Sequence, residues 1–126
     1  MTSSAITNTE LCSWLRLLAR AWSTKNFDIV EQLFHKCTKY VEAPFREPGR
    51  NVQDIIEIWR EIEDHSDLDL AFDIIAISGR VAVVNYFATY SDRKQSQKSD
   101  GIYVIEFDDD GNCRTFRQWS VSIHED

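Results

Sequence analysis

Asp100-Gly101-Ile102-Tyr103-Val104-Ile105-Glu106-Phe107-Asp108-Asp109-Asp110-Gly111-Asn112-Cys113-Arg114-Thr115-Phe116-Arg117-Gln118-Trp119 is the stretch that decides the fold. Its first part, Ile102 to Phe107, is rich in the β-branched and aromatic residues that favour strands. Asp108-Asp109-Asp110-Gly111 then reads as a tight turn, and Gly111 can take the positive φ that a hairpin needs. The second strand sets Cys113, Thr115, Arg117 and Trp119 against Arg114, Phe116, Gln118 and Ser120. Bulky apolar groups stand on both parities, so this is not a sheet with one simply solvated face. One face must meet the core, and the other is expected to meet something else, such as a second subunit.

Outward from this hairpin, the chain divides into a helical half and a strand half. Strands are expected over residues 68–78, 80–91, 99–107 and 114–123, with turns at Ser78-Gly79, over 91–98 and over 108–111. Upstream, Thr9 is expected to cap a helix over 10–25, where Leu11, Leu15, Leu18 and Trp22 form one apolar stripe that Trp14 and Leu17 widen. Asn26 restarts the chain into a short helix over 27–34, with Ile29, Val30, Leu33 and Phe34 facing in. Residues 37–45 read as a strand ended by Pro44, and Glu47-Pro48-Gly49 as a turn. Asn51 caps a third helix over 52–63, with the stripe Val52, Ile55, Ile56, Trp59 and Ile62. Residues 1–9 are Ser/Thr/Asn-rich and are expected to be disordered. Helices followed by an antiparallel meander imply an α+β fold: a cone-shaped, curved, mostly antiparallel sheet with three helices packed on its concave face.

Composition narrows the function classes. A chain of 126 residues is expected to form a single domain over 1–126, and 43% hydrophobic content supports one core. The formal net charge of −7 argues against nucleic acid or an anionic membrane as the main partner, since both require a basic surface. No apolar run approaches the length of a membrane span, and the first ten residues lack a signal-peptide pattern. A cytoplasmic protein with reduced thiols is expected, because Cys12, Cys37 and Cys113 are odd in number and lack CxxC spacing. His35, His65 and His124 are scattered, so neither a metal site nor a cofactor is expected. The Asp108 to Gly111 run lacks the ligand spacing and distal Glu of a calcium loop and reads as a solvated turn. Asp73 and Glu106 interrupt apolar strands; an exposed strand face explains them, a raised-pKa carboxylate being the alternative. Asp100 is read as a strand-entry contact and His35 as a helix-end residue.

Several segments together carry a resemblance. They are Ala21-Trp22, Asn26-Phe27-Asp28 and Leu33-Phe34, then Tyr40-Val41-Glu42-Ala43-Pro44-Phe45 leading through Arg50 into Asp54-Ile55-Ile56-Glu57-Ile58-Trp59. Asp100-Gly101-Ile102-Tyr103, Asp110-Gly111 and Phe116-Arg117-Gln118-Trp119 complete the set, which covers nearly the whole chain. In this order they resemble the nuclear transport factor 2-like superfamily, in its SnoaL-like and ketosteroid-isomerase-like branch. The resemblance implies a hydrophobic pocket between sheet and helices, and a homodimer formed through the outer face of the sheet. It also implies a pocket lined by Leu18, Trp22, Ala43, Trp59, Tyr86, Tyr103, Gln118 and Ser120. The implied dimer face is Val83, Asn85, Phe87, Arg117, Trp119 and Val121. Residue 43 falls where the isomerases carry their catalytic aspartate, so Val41 and Ala43 are expected to face in, and Tyr40 and Glu42 out.

That assignment bears on chemistry. Alanine cannot abstract a proton, and Leu18 stands where the isomerases hold a tyrosine, so the isomerase reaction is disfavoured. The expectation is therefore a pocket that binds a small hydrophobic molecule with one or two oxygens. The alternatives are an isomerase, cyclase or dehydratase with a relocated acid–base set, such as Tyr103 with Asp73 or Glu106, or a pure dimerisation domain.

Overall fold

The computed structural model describes residues 5–125. Three helices, α1 (Asn8–Thr24), α2 (Phe27–Phe34) and α3 (Val52–Trp59), precede or interrupt the strands β1 (Lys39–Val41), β2 (His65–Ser78), β3 (Val81–Asp92), β4 (Gln95–Phe107) and β5 (Cys113–Glu125). The sheet order is β1-β5-β4-β3-β2. β1 runs parallel to β5 at one edge, and every other pair is antiparallel. The fold is α+β, with the helices on one face of an open, bent sheet.

The helices begin and end where local chemistry dictates. Thr7, not Thr9, caps α1: its hydroxyl accepts from Glu10 N at 3.0 Å, and Glu10 Oε1 accepts from Thr7 N at 3.1 Å. This reciprocal pair satisfies two otherwise unpaired N–H groups. The start is fixed further upstream by Ile6, only 3% exposed, whose N–H bonds Gly79 O. The expectation of disorder over 1–9 is thus corrected for residues 6–9, while 1–4 lie outside the described residues. Asn26 caps α2 and Asn51 caps α3. The third helix ends at Trp59, four residues early, and tightens into a 3-10 segment over Arg60–Asp64.

Two corrections concern strands. The expected strand over 37–45 pairs over Lys39–Val41 alone. Pro44 lies in a turn beyond its end. The expected loop over 91–98 is a two-residue hairpin turn at Arg93 and Lys94, both with positive φ (51° and 73°). Such turns normally carry Asn-Gly, so Arg-Lys gave no signal for it. Asp64 holds it in place: its carboxylate accepts from Arg93 Nε and Nη2 at 3.1 Å each. Register shifts between Ser66 and Asp69 and between Ile74 and Ala76 bend β2.

Strand register sorts the two sheet faces into rows. On the helix side, Val84, Tyr103 and Gln118 stand abreast, then Tyr86, Gly101 and Ser120, then Ala88, Ser99 and Ser122. On the outer side the rows are Val83, Val104 and Arg117; Asn85, Ile102 and Trp119; and Phe87, Asp100 and Val121. Asp73 and Glu106 fall on this outer side, away from the core. Gly101 is required where it stands: a Cβ there would lie 2.5 Å from Trp119 O and 2.6 Å from Tyr86 Cε1. Trp14 anchors the core, edge-on to Phe34 at 5.7 Å and to Phe107 at 5.6 Å.

Candidate functional site

Between the helices and the inner rows lies a cavity of about 250 Å³. One water needs only ~15 Å³ by a comparable measure. The structure brings Leu18, Trp22, Ala43, Trp59, Tyr86, Tyr103, Gln118 and Ser120 together around it. Leu18 and Trp22 reach it from α1 and Trp59 from the end of α3, while the others come from the sheet and the bend after β1.

The edge strand overturns one assignment. Tyr40 faces in, not out; it is buried and stacks on Phe116 at 5.0 Å with an interplanar angle of 9°. Its parity carries Glu42 inward as well, and the Glu42 side chain lines the cavity at 20% exposure. Val41 takes the opposite parity. Ala43 reaches the cavity because the chain has left the strand and bends there, so alternation no longer applies. The vacancy of a carboxylate inferred from Ala43 is therefore corrected: the inward carboxyl is one residue earlier. A charged side chain in an apolar stretch is assigned to solvent by default, which is why it was missed.

Glu42 is chemically unusual. Its Oε2 is buried without a hydrogen-bond partner, and Arg46 Nη1 stands 3.9 Å away, beyond bonding distance. Burial, and then the adjacent Glu61 carboxyl, push its pKa up to about 8, with Arg46 pulling weakly the other way. Glu42 is thus a neutral acid at pH 7 and can donate a proton toward Glu61 or toward a ligand. Burial also raises the Tyr40 and Tyr103 phenols well above their ordinary value, so both stay protonated.

The rest of the wall is neutral and polar. Tyr86 Oη lies 2.8 Å from Ser99 Oγ and accepts from Gln118 Nε2 at 3.2 Å. Ser122 Oγ donates to Ser99 Oγ at 3.1 Å, extending the network along the inner rows. Tyr103 stacks on Tyr86 at 4.5 Å. His65, at the start of β2, accepts from Trp22 Nε1 at its Nδ1, 3.0 Å away. An indole can only donate, so the imidazole proton sits on Nε2, which points toward Asp92 Oδ2 at 3.9 Å. Burial lowers the His65 pKa despite Asp92, so the ring is neutral. His65, Glu61, Arg46, Tyr90, Ser99 and Ser122 all line the cavity, and sequence reasoning named none of them as doing so. Arg46, Glu61 and His65 carry no periodic signal, because they come from a bend, a 3-10 segment and the first residue of a strand, whereas Tyr90, Ser99 and Ser122 continue the inward alternation of β3, β4 and β5, the signal that could have found them.

The outer-face residues Val83, Asn85, Phe87, Arg117, Trp119 and Val121 stand on the side of the sheet opposite the helices. Phe87, Trp119 and Val121 are exposed, and Arg117 lies over the Trp119 ring at 5.4 Å. Among the described residues, no group of three or more His, Cys, Asp or Glu side chains could hold a metal ion. No helix among them is long and apolar enough to cross a membrane.

No protein-family model matches this chain, and no curated protein matches it. Solved structures do. An LEH-like epoxide hydrolase of M. tuberculosis is similar over 90% of this chain and 84% of its own, at 16% identity and a TM-score of 0.72. An NTF2-like protein of unknown function from Burkholderia pseudomallei K96243 is similar over 87% and 89%, at 17% identity and a TM-score of 0.71. A protein of Jannaschia sp. CCS1 described as a SnoaL-like polyketide cyclase is similar over 85% and 84%, at 10% identity and a TM-score of 0.67. At these identities the likeness speaks for architecture alone: the chain has the nuclear transport factor 2-like fold.

Proposed function

We propose that the cavity takes up a small, mostly apolar molecule carrying one or two oxygens, and that Glu42 exchanges a proton with it. The observation that carries this reading is the buried, inward carboxyl of Glu42, with one oxygen unpaired and a pKa near 8. A group poised near the working pH is suited to general acid–base catalysis. Aromatic walls from Trp22, Trp59 and Tyr103 supply apolar contact, while Ser99, Ser122 and Gln118 offer neutral hydrogen bonds. Isomerisation, dehydration and cyclisation all need a proton moved at or beside an oxygen, which fits this set. Solved structures of the same fold include an epoxide hydrolase and a protein described as a cyclase, in keeping with the reading.

The test is a panel of small ketones, enones and epoxides followed by NMR in D2O, with wild type beside Glu42→Gln. Acceleration of deuterium uptake or conversion, with an inflection near pH 8 that Glu42→Gln removes, is expected. An acceleration that survives Glu42→Gln refutes the role of Glu42. Binding without any acceleration leaves the second reading, a carrier of small apolar molecules.

The same reading includes a homodimer through the outer face of the sheet. Phe87, Trp119 and Val121 are 44%, 42% and 74% exposed there, in rows shared with Ile102, Asn85 and Asp100, a mixed surface whose exposed apolar groups a second copy would cover. Light scattering at micromolar concentration reads this directly, and a monomer refutes it.

A further inference from the structure

We propose that Cys37 and Cys113 are a reversible dithiol–disulfide pair, which a small peroxide joins into a latch holding β1 against β5. Both thiols are free and buried, and neither lines the cavity. They come from distant parts of the chain, Cys37 shortly after α2 and Cys113 at the head of β5. β1 runs parallel to β5 with Lys39 beside Thr115, and each cysteine precedes its residue of that pair by two. Thr38 N donates to Arg114 O at 3.0 Å, so the two backbones are still side by side between the ladder and the cysteines. Neighbouring strands stand about 4.8 Å apart, a spacing within the range of Cα separations that a disulfide spans. The side chains lean the same way along their strands: Cys37 Sγ is 3.5 Å from Lys39 O, and Cys113 Sγ is 3.5 Å from Thr115 O. The thiols also meet. A hydrogen bond from Cys113 lowers the Cys37 pKa against the opposing effect of burial, while burial holds Cys113 well above its ordinary value.

A more acidic thiol beside one that keeps its proton suits a stepwise oxidation. The Cys37 thiolate attacks one oxygen of the peroxide, the O–O bond breaks, and the leaving hydroxide takes up a proton to become water. Cys37 is then a sulfenic acid. The Cys113 sulfur attacks the Cys37 sulfur, the S–O bond breaks, and the Cys113 proton leaves with that oxygen as a second water. The two sulfurs together give up two electrons, and the peroxide accepts them. β1 is three residues long and lies at the edge of the sheet, so a local opening short of unfolding admits a small oxidant. The new bond ties this edge down close to the Tyr40–Phe116 stack, which forms part of the cavity wall.

The experiment uses the full chain carrying Cys12→Ser, which removes the partly exposed third thiol. It is treated with hydrogen peroxide in small excess. Mass spectrometry should show the loss of two hydrogens, and a non-reducing peptide map should link the Cys37 and Cys113 peptides. The link closes a long loop of the chain, so the melting temperature should rise by roughly 5–15 °C, and dithiothreitol should reverse the rise. Hydrogen exchange of the Thr38 and Tyr40 amides, which bond Arg114 O and Gly49 O, should slow in the oxidised chain. Adding Cys37→Ser should abolish the link and both shifts. Free thiols at both positions after treatment, or oxidation to sulfinic acid without a link, overturn the pair. A link that leaves the melting temperature and the β1 amides unchanged overturns the latch. If the chain with Cys37→Ser does not fold, the peptide map and the exchange of the Cys12→Ser chain, oxidised against reduced, decide by themselves.

Discussion

Glu42→Gln keeps the size and shape of the side chain and removes its ionisation, so it isolates the energy of burying that charge. In the folded chain the Glu42 pKa is raised from an ordinary 4.5 to about 8, first by burial and then by Glu61. A carboxyl with a raised folded pKa stabilises the fold fully below its unfolded pKa, and that stability is lost as pH rises through the folded one. Linkage between 4.5 and about 8 gives a destabilisation of about 1 kcal/mol at pH 5, about 3 kcal/mol at pH 7 and about 5 kcal/mol at pH 9. Water reaching a side chain that is 20% exposed screens part of this, so roughly half is the smallest effect the geometry allows. Wild type and Glu42→Gln should therefore have similar stability at pH 5. By pH 8 the mutant should be the more stable by at least about 2 kcal/mol, out of a total of roughly 5–15 kcal/mol for a domain. The assay is urea unfolding at pH 5, 7 and 8, read as the difference between the two chains so that all other titrating groups cancel. Parallel stability profiles across this range would refute the reasoning, because Glu42 would then ionise as an exposed carboxyl does. Glu61→Gln is a built-in control: it removes the second cause of the shift and should pull the Glu42 inflection down without abolishing it.

Two further outcomes follow from the packing. Gly101→Ala places a methyl 2.5 Å from Trp119 O and 2.6 Å from the Tyr86 ring, and backbone cannot swing aside. Denaturant unfolding should show a loss of about 1–3 kcal/mol; a loss below about 0.5 kcal/mol would mean that the β4 backbone has room the register denies. Trp22→Phe removes the donor that holds His65 Nδ1. The His65 imidazole, now free at that nitrogen and facing Asp92, should titrate closer to 6.5 by NMR. A depressed His pKa withdraws stability as pH falls through it, so the mutant should lose less to mild acid than wild type does. An unchanged His65 titration counts against the assigned tautomer.

The meander was legible because β3, β4 and β5 are long, carry β-branched and aromatic residues on alternating positions, and have turns marked by Gly79 and Gly111. Once one inward residue on each is identified, two-residue periodicity places Ala82, Val84, Tyr86, Tyr103, Ile105 and Phe116 together. The stripes of Leu18, Trp22 and Trp59 were legible for the parallel reason, three- and four-residue spacing on helices. The Arg93-Lys94 turn was not, since neither residue advertises the left-handed conformation it adopts.

What the sequence determined by itself is thus whatever repeats along a long element: helix stripes, strand alternation and the layer each face belongs to. What only the tertiary structure decided is the chemistry of the cavity. Glu42 lies past the end of a three-residue edge strand, too short for alternation to declare its parity. Its direction is set by Tyr40 stacking on Phe116, a contact between residues 76 positions apart in the chain. Its proton is set by burial against Glu61, which arrives from a 3-10 segment with no periodic signature. A pKa depends on the dielectric and the charges around a group in space, and those neighbours are assembled only when the sheet and helices close on one another.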